Sequence, residues 1–234
     1  MQLFYNANIT EGDEFINFSK DESRHIIKVL RKSIADKLNI TNGKGWLFTA
    51  EIININSKSC EAKIVEAKLQ PPRPYRLHLA VAPTKMNDRY EWFLEKATEI
   101  GIDSITPIIC HNSERKTIKE DRYERVIQSA VKQSLNCYFP KLNSARSFSD
   151  FINQDLEEQR FIAHCENTNR IHLKNCVKPN QHILILIGPE GDFSISEIEE
   201  AALKNFKPIT LGNSRLRTET AAIVAVHTVA LINQ

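Results

Sequence analysis

The pattern of apolar and polar positions changes character near residue 70. Before it, Lys37 to Thr41, Trp46 to Asn56 and Ser59 to Leu69 are rich in β-branched residues, and Asn42-Gly43-Lys44-Gly45 separates the first two runs at hairpin spacing. That pattern predicts strands. Further upstream, Ser19 and Glu22 have the spacing of a capping box ahead of the apolar cluster Ile26, Ile27, Val29 and Leu30, which predicts a short helix. Residues 1–70 therefore read as a small β-rich barrel. The segment Gln70-Pro-Pro-Arg-Pro-Tyr75 fixes φ at its prolines and holds each preceding residue extended, so 71–76 reads as a linker.

From 77 to 234 strands and helices alternate. Leu77 to Ala82, Ser104 to Cys110, Phe161 to Cys165, Ile183 to Gly188 and Pro208 to Leu211 read as strands. A helix capped by Asp88, with Glu91 reaching back, runs to Gly101, and Tyr123, Val126, Ile127, Ala130 and Val131 form the apolar stripe of another over 120–136. A third helix begins at Ser194 or Ser196 and ends at Asn205; a fourth runs from Thr218 to Ile232. Such alternation predicts an α/β fold with a mainly parallel sheet covered by helices. The last helix is apolar on nearly all sides and calls for burial all round, as against a second copy of the chain.

Composition narrows the classes. With 41% hydrophobic and 26% charged residues the chain is neither disordered nor collagenous. No apolar run reaches the roughly 20 residues of a membrane span, and the first residues lack the basic-then-apolar design of a secretory signal, so a cytoplasmic location is expected. Five cysteines without a C-x-x-C pair argue against a disulfide framework or a zinc ribbon. The net charge of +2 leaves any anionic partner to local basic patches. Arg24, Lys28 and Arg31 recur at i, i+4 and i+7 as one candidate phosphate track, and Lys85 and Arg89 flank a helix start as a second.

Neither a dinucleotide-binding glycine fingerprint nor a P-loop is present. Two strand-to-helix loops stand out instead, Ile187-Gly-Pro-Glu-Gly-Asp-Phe193 and Leu211-Gly-Asn-Ser-Arg-Leu-Arg-Thr-Glu-Thr-Ala221. Arg215, Arg217 and Glu219 crowd a helix N-terminus, where the macrodipole disfavours excess cations. Two arginines there suggest a bound anionic group.

These loops, together with VAPTKMNDRYEWFLEKATEIGIDSITPI at 81–108 and RHIIKVLR at 24–31, resemble the RsmE family, methyltransferases that act on a uridine of 16S ribosomal RNA. The resemblance covers nearly the whole chain, with LRTETA its most specific motif. It implies a PUA-like β-barrel followed by a SPOUT methyltransferase domain whose C-terminal segment is threaded into a trefoil knot, and a homodimer without metal. S-adenosylmethionine would be held by His164 and Cys165, by Gly188, Pro189, Glu190 and Gly191, and by Leu211, Gly212, Leu216, Thr218, Thr220 and Ala221. Methylation at uracil N3 would make Arg217 the stabiliser of developing charge, and Glu219 either a proton acceptor or a helix-start acid orienting Arg217. Phe193 would stack on the splayed base or anchor its loop in the core. Similar proteins often carry glycine where Asp192 stands and arginine in the position of Asn136.

Two other readings compete. One is a non-catalytic RNA-binding ribosome assembly factor of the same fold. The other is a zinc protein built on His164, Cys165, His172 and Cys176.

Overall fold

The computed structural model describes residues 2–56, 59–154, 158–166 and 169–234. Two units are distinguished, Met1–Pro72 with Val131–Phe139, and Arg73–Ala130 with Pro140–Gln234.

In the first unit β1 (Leu3–Tyr5), β2 (Phe15–Asn17), β3 (Lys37–Thr41), β4 (Trp46–Ile55) and β5 (Cys60–Leu69) form one sheet in the order β1-β3-β4-β5-β2. Only the β1–β3 pair is parallel. Alternation does the sorting: Phe48, Ala50 and Ile52 of β4 are fully buried, with Phe4, Leu38 and Ile40 beside them. Residues 137–139 complete this unit. Gly45 donates its N–H to the Cys137 carbonyl at 2.9 Å, Phe139 donates to Gly43 O at 2.8 Å, and the Tyr138 hydroxyl donates to Gln70 O at 2.7 Å.

Ser19 accepts the Glu22 N–H at the start of α1 (Lys20–Arg24), as its spacing predicts. The helix then widens into a π turn over His25–Val29, where Leu30 donates to His25 O at 2.9 Å. This corrects the expected basic stripe. Arg24 and Lys28 are exposed, but the extra residue per turn breaks the spacing, and Arg31 lies beyond the helix at φ 54°. Of the apolar cluster only Ile26 is fully buried, and Val29 stands exposed.

The second unit comprises β6 (Arg76–Val81), α2 (Asn87–Ile100), β7 (Ser104–Ile109), α3 (Glu120–Ser134, its last turn grouped with the first unit), β8 (Lys141–Leu142), β9 (Arg146–Ser147), α4 (Phe148–Ile152), β10 (Gln159–Ala163), β11 (Ile171–His172), β12 (His182–Ile187), α5 (Ile195–Leu203), β13 (Lys207–Thr210) and α6 (Thr218–Ile232). Its sheet is parallel throughout, ordered β11-β13-β10-β12-β6-β7-β8, with β9 also paired to β7. The apolar run of β12 is buried from Ile183 to Ile187, as a strand covered on both faces requires.

Helix boundaries follow local chemistry. Ser194 and Glu197 close a reciprocal capping box at α5. Gly101 ends α2 at φ 115°, donating to Ala97 O. The expected Asp88 cap is corrected: α2 begins at Asn87 behind an extended Met86, and Asp88 sits inside the first turn, where its charge complements the helix dipole. Helix α6 packs on α2 and buries Ala222, Ala225, Val226 and Val229. Its burial is not complete, since His227 and Leu231 are exposed.

Candidate active site

Register brings the loops together. Ala163 of β10 pairs with both Ile187 of β12 and Ile209 of β13, so the three strands end side by side at the carboxyl edge of the sheet. In open parallel sheets that edge is where ligands bind. A cavity of about 650 Å³ opens there. His164, Cys165, Gly188, Pro189, Glu190, Leu211, Gly212, Leu216, Thr218 and Ala221 line it, as do Arg170, Asp192, Arg215 and Arg217. Two residues expected there, Gly191 and Thr220, are not among its lining; Thr220 faces a neighbouring cavity.

The 188–193 loop is built rigidly. Asp192 N–H donates to Pro189 O at 2.9 Å, closing a tight turn. Glu190 accepts the Lys85 N–H at 2.9 Å, and the Asn112 amide donates to the carbonyls of Gly191 and Asp192, each at 3.1 Å. Phe193 is buried, its ring 5.6 Å from that of Phe148, and a Cβ on Gly188 would come within 3.0 Å of it. Phe193 is therefore a core anchor, and the stacking role is excluded by burial. The 211–217 loop differs: Asn213, Ser214, Arg215 and Arg217 are exposed. Its return into α6 is fixed where the Thr218 hydroxyl donates to Gly188 O at 3.0 Å.

His164 is buried, and neither ring nitrogen has a hydrogen-bond partner. Burial lowers its pKa below 6.5, a shift opposed by the nearby Asp192 carboxylate. A neutral imidazole offers one donor and one acceptor, and buried polar groups without partners are costly. The lining of the cavity, which carries Glu190, Asp192, Asn213, Ser214 and Thr218 beside the glycines, fits a ligand rich in both donors and acceptors, as an adenosyl amino acid is. Cys165, read as the last residue of a strand, is exposed outside it, because β10 stops at Ala163 and the chain has already turned into the loop.

A second cavity, of about 730 Å³, adjoins the first and shares Arg215, Leu216 and Arg217 with it. Asp88, Arg89, Trp92, Glu219 and Thr220 complete its lining. Glu219 is only 7% exposed; its Oε1 lies 3.9 Å from Arg89 Nε, and its Oε2 has no partner. Lys85, the other expected cation here, is exposed and held by Glu114 at 2.8 Å, whose hydrogen bond and charge raise the lysine pKa.

Sequence reasoning missed Trp92, Arg170 and the bonds made by Asp192. Trp92 did carry a signal, being apolar yet off the stripe of Phe93, Ala97 and Ile100. For the zinc reading, the Cys176 thiol is within 3.5 Å of the His172 carbonyl, and no group of three or more His, Cys, Asp or Glu side chains converges among the described residues.

A parallel α/β sheet whose strand ends open into a cavity lined by Gly188 and Gly212, with Arg215 and Arg217 shared with a second cavity, defines the class of a ligand-binding α/β protein with its site at the carboxyl edge of the sheet. Residues 71–230 match the RNA methyltransferase domain family and residues 18–65 the RNA methyltransferase PUA domain. The chain belongs to the RsmE family of RNA methyltransferases. It is 32% identical to the ribosomal RNA small subunit methyltransferase E of Buchnera aphidicola over 218 residues, 89% of this chain and 85% of that protein. Among solved structures it resembles a probable rRNA-methyltransferase of Porphyromonas gingivalis, with TM-score 0.92, 40% identity and coverage of 100% of this chain and 98% of that one. It also resembles a Legionella pneumophila methyltransferase in complex with the bound cofactor SAM, with TM-score 0.88, 27% identity and coverage of 99% and 97%.

Proposed function

We propose that this protein methylates N3 of a uridine in 16S ribosomal RNA, using S-adenosylmethionine held in the first cavity and the target base in the second. The observation that carries this reading is the sharing of Arg215, Leu216 and Arg217 between the two cavities, which sets a guanidinium at their junction. S-adenosylmethionine supplies the electrophilic methyl group. His164, Cys165, Gly188, Pro189, Glu190, Leu211, Gly212, Leu216, Thr218 and Ala221 would hold it.

The chain's own part is orientation and charge. Loss of the N3 proton pushes negative charge onto the uracil oxygens, where Arg217 offsets it. Glu219, a lining residue of the second cavity whose Oε2 is buried without a partner, is the group assigned to accept that proton. Trp92, 46% exposed on the rim, offers a face for a base turned out of its helix. Arg24, Lys28 and Arg31 in the first unit, exposed as separate cations and not as one stripe, and Lys85 and Arg89 in the second, supply phosphate contacts.

The same proposal takes 1–70, completed by 131–139, as the RNA-gripping domain, 71–76 as linker and the rest of 77–234 as the methyltransferase domain with a knotted C-terminus, working in the cytoplasm as a homodimer. The exposed Leu231 and His227 of α6 support a surface for the second copy. No helix among the described residues is long and apolar enough to cross a membrane. The test is mass spectrometry of ribosomal RNA from cells lacking the protein. One 3-methyluridine should disappear and return with the wild type but not with Arg217→Ala. Intact modification, together with no heat on adding S-adenosylmethionine to the purified chain, would leave the assembly-factor reading.

A further inference from the structure

The loops around the first cavity come from distant parts of the chain, so something must hold them at a fixed separation. Strands β10 and β12 are paired only as far as Ala163 and Ile187. Beyond that point the ladder no longer sets the spacing of His164 and Cys165 against residues 188–193. Asp192 bridges the gap. Its Oδ2 accepts the Cys165 N–H at 2.7 Å while its Oδ1 accepts the Phe193 N–H at 2.8 Å. Both are short bonds to an ionised acceptor, the stronger kind.

The backbone of Asp192 explains how the carboxylate reaches back. At φ 63° the residue is left-handed, a conformation that glycine takes freely and aspartate tolerates better than most. Its own N–H closes the turn onto Pro189 O, and its carbonyl is held by Asn112. The carboxylate is therefore presented from a rigid base. Cys165 adjoins His164, a buried residue of the cavity lining. Fixing the Cys165 amide fixes the backbone of that segment against the 188–193 loop.

We propose that Asp192 is a positioning residue for the cofactor: its carboxylate staples the 164–165 loop to the 188–193 loop and sets the width of the first cavity. This rests on the reading that the cavity takes S-adenosylmethionine. Glycine suits the backbone and lacks the staple, so Asp192→Gly removes one function and keeps the other. Asp192→Asn keeps the left-handed backbone and one acceptor oxygen, and guards against a glycine variant that fails to fold.

The experiment is titration calorimetry of the full chain with S-adenosylmethionine and with S-adenosylhomocysteine, which lacks the sulfonium charge, alongside steady-state kinetics and hydrogen exchange at the Cys165 amide. The expected result is a roughly tenfold weaker Kd for both ligands in Asp192→Gly, the loss of about one charged hydrogen bond, with an intermediate loss in Asp192→Asn. The KM for the cofactor should rise with kcat preserved at saturation, and the Cys165 amide should lose protection. Wild-type affinity in Asp192→Gly would overturn the proposal. So would weakening confined to S-adenosylmethionine, which would mean that the carboxylate acts by attracting the sulfonium. A wild-type protein that binds neither ligand would overturn both this inference and the function it rests on.

Discussion

The two loops that face each other across the first cavity are built on opposite plans. The 188–193 loop carries hydrogen bonds from Lys85 and Asn112, closes its own turn and drives Phe193 into the core. The 211–217 loop leaves Asn213, Ser214, Arg215 and Arg217 in solvent and is secured at its two ends, by the Thr210 hydroxyl on Gly212 and by Thr218. Chemistry is divided between them accordingly. Under the proposed function the bonded loop supplies shape, and the exposed loop supplies the guanidinium groups. A guanidinium meant to meet a substrate has to stay uncommitted, whereas a wall meant to hold a cofactor has to be committed in advance.

Breaking the bonded loop should cost stability. Phe193→Ala empties a site packed against Phe148 and Gly188, and about 3–5 kcal/mol of unfolding free energy should be lost in chemical denaturation. Breaking the exposed loop should cost rate. Arg217→Ala is expected to lower kcat by roughly 10²- to 10³-fold, with the thermal midpoint unchanged, because its side chain stands in solvent. Equal losses of stability from both variants would remove the contrast. Ser194→Ala, which deletes the cap where the bonded loop enters α5, should cost about 1 kcal/mol by the same denaturation assay.

The smallest effect concerns the third wall. Burial holds His164 neutral, with its pKa below 6.5. In the unfolded chain the same imidazole takes up a proton as pH falls through about 6.5, so the unfolded state binds more protons there than the native one. Stability from this group is thus undiminished above that pH and declines between it and the lowered native value. Thermal midpoints measured from about pH 5 to 8 should fall on the acid side, less steeply in His164→Gln.

Much of this was legible in the sequence, for physical reasons that differ by element. The period of two in Trp46 to Ile55, the unbroken apolar run of β12 and the Ser194–Glu197 spacing are local signals, and local signals survive folding. The two glycine-bearing loops were recognisable because their residues are contiguous. The π turn was not, since the apolar positions 26, 27, 29 and 30 fit an ordinary helix equally well. The strands β8, β9 and β11 have two residues each, too few to show a period. The Asp192–Cys165 bond spans 27 positions and exists only because three strands end in register. Exposure of Cys165 follows from where β10 stops, which composition does not encode.

The pairing of Gly43 and Gly45 with residues 137–139 has a consequence for biosynthesis. The β-rich unit is discontinuous in the chain, so its turn at 42–45 emerges from the ribosome well before the segment that caps it. Until 137–139 have also emerged, the Gly45 N–H and the Gly43 carbonyl are left to water. A nascent chain halted within α3 would carry all five strands and still lack its closing piece.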